Sequence, residues 1–241
     1  MKIFNIKYIP MINLVITLFF ISPINAQELS VGADVVSRYI WRGIESGGHS
    51  PSIQPTIEFS TSGFALGVWG ALPTANPDAL EEMDIYANYS FNLNNLGSFS
   101  LGFTDYMFPN SGTKIGNFNN YDDEGGPGAH FIEANVIYSG PESLPIYLSV
   151  NVFFYNLENN PIYFELGYST SVSNTPLDVF IGGTPGEDGM YYGVNNFSII
   201  NTGIKVSKEI KFTDSFSLPV FGSVILNPAS EDLYYVLGIS L

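Results

Sequence analysis

Apolar and polar positions alternate with a period of two along most of this 241-residue chain. Near its start, Leu29, Val31, Ala33, Val35, Tyr39 and Trp41 share one face, and Ser30, Gly32, Asp34, Arg38 and Arg42 share the other. Such alternation means an extended strand with one face in an apolar medium. The pattern recurs downstream. Met83, Ile85, Ala87, Tyr89, Phe91 and Leu93 oppose Asp84, Tyr86, Asn88, Ser90 and Asn92. Ile146, Leu148, Val150, Val152 and Phe154 oppose Tyr147, Ser149, Asn151 and Tyr155. Between residues 215 and 226 the pattern is less regular, because Phe221 and Ile225 break it. Clusters of Gly, Pro, Asn and Asp divide the runs. Twelve strands are predicted, at 29–43, 52–61, 63–72, 83–93, 98–108, 130–139, 145–155, 161–172, 176–183, 197–207, 215–226 and 232–241.

The connectors alternate as well. Ile44–Pro51, Pro73–Glu82, Pro109–Ala129 and Thr184–Asn196 are long, whereas Ser62, Asn94–Gly97, Gly140–Leu144 and Ser173–Thr175 are short. Long loops at one end and tight turns at the other are the layout of an outer-membrane barrel, and an even strand count brings both termini to one side. Ten residues at about 3.4 Å each, tilted by about 40–45°, rise roughly 25 Å along a barrel axis. That matches an outer-membrane apolar band about 25 Å tall. The expected fold is therefore all-β, a transmembrane antiparallel up-and-down barrel of about twelve strands.

Composition separates this reading from a soluble sandwich or a lipocalin-like barrel, which alternation alone does not. Only 13% of residues are charged, about half of the usual 25%. The polar face is built of Ser, Gly, Asn and Thr with isolated acids, and lacks the Lys of a water-exposed sheet. Tyr39, Trp41, Tyr106, Phe108, Tyr138 and Tyr155 stand near strand ends, where interfacial aromatic girdles are expected. In the last segment Tyr235, Leu237, Ile239 and Leu241 share a face. It is similar to the terminal strand that outer-membrane barrels offer to the barrel assembly machinery, with Leu241 where an aromatic is usual.

Residues 1–26 have the layout of a secretory signal peptide. Lys2 and Lys7 precede the apolar Ile9–Ile21, and Ile24-Asn25-Ala26 precedes the expected cleavage point. The barrel would then occupy residues 27–241. Loss of Lys2 and Lys7 leaves six basic residues against 23 acidic ones, a formal charge of −17. That charge argues against nucleic acid as a partner. The absence of cysteine excludes disulfides and cysteine lipidation.

Ser37-Arg38-Tyr39-Ile40-Trp41-Arg42-Gly43-Ile44-Glu45-Ser46, then Pro51-Ser52-Ile53-Gln54-Pro55, Gly63-Phe64 and Gly67-Val68-Trp69-Gly70 resemble the start of the TorF-type (Gcw_chp) porin family. In that family a Y-x-x-R-G-I strand end precedes a P-x-x-Q strand and a strand ending G-x-W. Tyr39, Arg42, Gly43, Gln54, Gly67 and Trp69 match those motifs. The resemblance implies an outer-membrane barrel, and leaves the solute unassigned. Glu45 stands where Ser or Thr is usual, and an acidic loop follows Pro109.

Candidate lumen-lining and selectivity residues are Asp34, Arg38, Arg42, Glu58, Asp84, Glu133 and Glu165, all on polar strand faces. An Arg on the lipid face would cost about 2–4 kcal/mol at mid-depth, so the lumen is their expected place. Arginines facing acids could set up a transverse field that selects small polar solutes. They could equally pair into salt bridges that plug or brace the barrel. Asp122-Asp123-Glu124 and Glu187-Asp188-Gly189 carry hard oxygen ligands, but their spacing reads as solvated loop acids rather than a metal site. His49 and His130 are the only histidines, and nothing assembles a catalytic triad around them. No enzyme activity, metal or cofactor is expected. The leading expectation is a porin-like channel in the cell outer membrane for passive diffusion of small hydrophilic solutes or ions, with outer-membrane lipid around it. The alternatives are a closed structural or surface-interacting barrel and, from a third class, a lipid-active enzyme.

Overall fold

A computed structural model describes residues 27–76, 78–118, 128–186 and 190–241. The proposed signal peptide and both acidic loop motifs lie outside the described residues. Strands β1 (Glu28–Val36), β4 (Ser52–Thr61), β5 (Phe64–Pro73), β6 (Glu82–Asn92), β7 (Ser98–Met107) and β8 (Phe131–Ser139) form the first half of the sheet. The second half holds β9 (Ile146–Tyr155), β10 (Ile162–Val172), β11 (Thr175–Thr184), β12 (Ser198–Lys211), β13 (Ser217–Asn227) and β14 (Asp232–Ser240). Each pairs antiparallel with its neighbour in the chain, and β14 pairs back to β1, closing a twelve-stranded barrel. Apart from a 3₁₀ turn at Asn94–Leu96, no helix occurs among the described residues.

The short turns are built for closure. Ser62-Gly63 and Ser173-Asn174 both hold positive φ, at 48° and 85° and at 51° and 63°. Two such residues in sequence match the right-handed twist of the strands they join. The long connectors lie at the other end, as their composition predicts.

One predicted strand is corrected. The run from 29 to 43 is not continuous: β1 ends at Val36, and Tyr39–Trp41 (β2) and Ile44–Ser46 (β3) form a separate two-stranded hairpin. Alternation continues through Trp41, but the chain leaves the wall at Ser37. Its backbone N–H reaches the Leu237 carbonyl, and its hydroxyl accepts from the Leu237 N–H. Tyr39 and Trp41 therefore belong to the interior, not to the outward face of β1.

The barrel is inverted in polarity relative to a water-soluble domain. Leu29, Val31, Ile57, Phe103, Leu166 and Leu237 are exposed on the outer wall, Leu237 at 69%. Gln54, Asp84, Glu133, Asn151, Asn201 and Ser223 are buried on the inner one. Phe221 and Ile225 also face inward, by register opposite Ser207 and Gly203, which is why they break the pattern of β13. Inward-facing rings are accommodated by glycines on neighbouring strands. Tyr86 lies over Gly67, Tyr147 over Gly167, Tyr163 over Gly182, Phe180 over Gly203 and Phe221 over Gly238, and a Cβ at any of these glycines would overlap the ring. Aromatic cover of a strand glycine is a known register-pinning device. Here it also lays the rings along the wall rather than across the bore.

Gly67→Val should displace the Tyr86 ring and destabilise the barrel by about 1–3 kcal/mol, the usual range for overpacking. The urea midpoint of the heat-modifiable band on a gel reads this out. Adding Tyr86→Ser should restore much of the loss.

Candidate functional site

The hairpin β2–β3 folds into the lumen at the end bearing the long loops. Its turn is Arg42-Gly43, with φ of 50° and 77°, the two-residue geometry that favours glycine at the second position. Gly43 carries a second constraint, since a Cβ there would overlap the Ile200 carbonyl on β12. Its own carbonyl accepts from Asn227 Nδ2 at 3.2 Å. The tip is therefore pressed against the wall, and no other residue type fits.

At that tip Arg42 meets Glu133 in a two-pronged ion pair. Nη1 and Nη2 donate to the two carboxylate oxygens at 2.6 and 2.8 Å. Nη1 also donates to the Tyr192 hydroxyl at 2.8 Å, and Tyr106 donates to Glu133 at 3.2 Å. The guanidinium lies 4.4 Å from the Trp41 ring and 4.6 Å from the Tyr163 ring, in cation–π contact with both. Glu133 is only 1% exposed. Around this pair Tyr163, Tyr192 and Ile200 form a buried core, with Trp41, Ile44 and Val194 packed against it. The upper lumen thus has an interior of its own.

Two further contacts hold the hairpin. Tyr39 donates to Glu82 at 3.2 Å, and its ring packs at a tilt against Trp69, with centroids 5.4 Å apart. Glu45 pairs with Arg38 at 3.3 Å and with His49 at 2.6 Å. A Ser or Thr at position 45 would offer neither group a carboxylate.

Elsewhere on the wall the acids are held by tyrosines. Glu58 accepts from Tyr86 at 2.8 Å. Glu165 accepts from Tyr147 and Tyr163, and from Asn201 Nδ2 at 2.8 Å. Asp84 is buried, and its Oδ1 has no hydrogen-bond partner among the described residues. Asp34 faces inward opposite Gln54 and Ser240.

The long-loop rim has one more cluster. His130 Nδ1 lies 2.7 Å from Asp105, Nε2 lies 2.9 Å from the Ile115 carbonyl, and Phe118 stacks on the imidazole at 4.0 Å. Burial lowers the affinity of this ring for a proton. The Asp105 hydrogen bond, the Ile115 carbonyl and the Asp105 charge outweigh it and raise the His130 pKa above 6.5.

Of the seven candidate lumen residues, Arg42 and Glu133 are brought into direct contact. Glu58, Asp84 and Glu165 stand on the inner wall, apart from that pair. Arg38 and Arg42 do not share the β1 face with Asp34, because both lie beyond its end. The girdle expectation is corrected in part. Tyr39, Trp41 and Tyr106 pack inside against Trp69, Phe153 and one another, and Phe108 lines a cavity at the mouth. Tyr138 stays on the outer wall beside Phe99, and Tyr155 packs on Phe118. Sequence reasoning missed Glu82, Tyr163, Tyr192 and Asn201 as partners. The one available cue to the hairpin was the dipeptide ending in glycine, Arg42-Gly43, between the β-favouring Tyr39-Ile40-Trp41 and Ile44.

A closed twelve-strand barrel with a polar lumen and an inward-folded hairpin is a porin-like architecture. It is similar in fold to the KdgM porin, at a TM-score of 0.53 and 11% identity over 89% of this chain and 98% of that one. A further solved structure, a high-pH form of Pseudomonas putida OprB, matches at a TM-score of 0.33 and 12% identity over 82% of this chain and 60% of that one. No curated protein matches the sequence. The chain belongs to the Gcw_chp family, described as bacterial protein of unknown function, whose model matches residues 22–189. All the motif residues from Tyr39 to Trp69 fall within that match.

Arg42→Ala should destabilise the barrel by about 3–5 kcal/mol, because Glu133 is left buried without its countercharge. The double variant Arg42→Met/Glu133→Leu should recover a large part of that, measured by urea titration of the heat-modifiable form. For His130, a folded-state pKa above the unfolded one means that its contribution is fully present below the unfolded value. That contribution is lost as pH rises through the folded value. NMR titration of the ring should give a midpoint above 6.5, and Asp105→Asn should bring it down.

Proposed function

We propose that this protein is an outer-membrane, porin-like channel that passes small hydrophilic solutes or ions by passive diffusion. In this reading the β2–β3 hairpin forms its constriction, and the protein is a channel rather than an enzyme. The observation that carries the reading is the wall itself. It is apolar outside and polar inside, with the inward rings of the lower lumen flattened over glycines. An outer surface of this kind belongs in hydrocarbon, and a closed sheet, whose strands pair backbone groups with one another, can cross it. The long-loop end then faces outward and both described chain ends face the periplasm. Surrounding lipid and the barrel assembly machinery are the partners this placement implies. The resemblance of residues 37–70 to TorF-type porins supports the same reading.

A second reading has its own support. Phe153, Tyr163 and Ile200 are almost wholly buried inside the upper lumen, at 1%, 3% and 0% exposure. A lumen packed that tightly describes a barrel that is closed at rest and serves as a structural or surface element.

Planar-bilayer recording on refolded protein separates the two. The channel reading expects small conductance steps from the wild type and larger ones from Trp41→Ala/Arg42→Ala, which frees the hairpin tip. Steps from the variant alone would favour a barrel closed at rest. Silence from both would end the channel proposal.

A further inference from the structure

At the long-loop mouth the hairpin and the rim enclose a cavity of about 560 Å³. That volume lies within the range of small-molecule sites. Its walls are aromatic: Trp41, Tyr106, Phe108, Phe131 and Tyr191 line it, with Ile44 and Leu80 between them. Two carboxylates, Glu45 and Glu82, also line it, and among the described residues no Lys, Arg or His does.

The charges facing this space do not balance. Of its two carboxylates, Glu45 pairs with Arg38 and His49, whereas Glu82 has no cation beside it among the described residues. Arg42 is held by Glu133 and Tyr192, and Arg38 lies 3.3 Å from Glu45. Glu82 is 8% exposed, and Tyr39 donates to only one of its oxygens. The other oxygen makes no hydrogen bond among the described residues, and the side chain borders the cavity. Two residues further along β6, Asp84 keeps a buried oxygen without a partner among the described residues.

We propose that this cavity is a binding site for an organic cation, an ammonium group carrying an apolar or aryl body. Ring faces attract a cation through their quadrupole and attract it more strongly when water is excluded. The excess carboxylate supplies the countercharge. An anion meets uncompensated acids and is refused. A hard metal ion finds too few oxygen ligands among the rings to replace its water. A neutral aromatic fits the walls but leaves Glu82 unanswered. The site stands whether or not the barrel conducts, so its failure and the failure of the channel reading are separable.

The test is ligand titration of the full refolded barrel in detergent, followed by tryptophan fluorescence. Trp41 lines the cavity, and Trp69 is the only other tryptophan, so a Trp69→Phe background isolates the reporter. Benzyltrimethylammonium should give a saturable change. Benzyl alcohol should bind at least tenfold more weakly, and benzenesulfonate should give none. Glu82→Gln should weaken the cation at least tenfold while heat-modifiable migration is kept. If that variant does not refold, Phe108→Ala at the rim serves instead, with at least a fivefold loss expected. Equal affinity for the cation and benzyl alcohol, an unchanged Kd in the folded variant, or no saturable response would overturn the site.

Discussion

The upper half of this barrel depends on one buried ion pair. Arg42 and Glu133 are charges in a space that excludes most water, and each would be expensive to bury alone. Together they satisfy one another through two parallel hydrogen bonds, with Tyr192 accepting a third from Arg42 and Tyr106 donating to Glu133. Geometry of this quality fixes the guanidinium plane, and the plane fixes what stacks on it. Trp41 and Tyr163 sit against its faces, and the aromatic core of the upper lumen grows outward from there. The mouth cavity takes two of its rings, Trp41 and Tyr106, from the same arrangement.

The wall solves a different problem. An inward strand face must be polar enough for a lumen, yet a barrel of this size must also keep bulky side chains from filling it. Glycine opposite a ring resolves the conflict locally, because the ring gains a flat surface to lie on and the strand gains a fixed register. Tyrosine adds a hydroxyl at the edge of each such plate, and at Tyr86, Tyr147 and Tyr163 that hydroxyl holds a lumen acid. Packing and electrostatics thus share the same residues. The acids at Glu58 and Glu165 are held in place along the wall rather than left to sweep the bore.

Much of this was legible in the chain. Period-two alternation located the wall strands to within a few residues, and the loop asymmetry told the two ends apart, because both follow from the pleat and from local turn chemistry. The lumen hairpin was not legible by the same means. Tyr39 and Trp41 continue the β1 alternation in phase, so periodicity has no way to mark the departure at Ser37. An Arg-Gly turn also lacks the Asn or Asp that usually signals such geometry. Pairings across the lumen were hidden for a deeper reason. Glu133 and Glu165 read alike as isolated acids on polar faces, and only the closed barrel brings Arg42 to one of them and tyrosines to the other.

That separation along the chain gives the hairpin a place in time as well as in space. Arg42 and Glu133 lie 91 positions apart, and Gly43 and Asn227 lie 184 apart. Strand-by-strand growth of the sheet brings neither pair together, since the anchors sit on β8, on β13 and, for the backbone contact at Ile200, on β12. Only a ring whose last strand has met its first presents all three to the tip at once. The hairpin is made early in the sequence and can seat only at the end, so its docking acts as a seal on completed assembly. A barrel that misregisters or stays open leaves an arginine, a tryptophan and a tyrosine with nowhere to go.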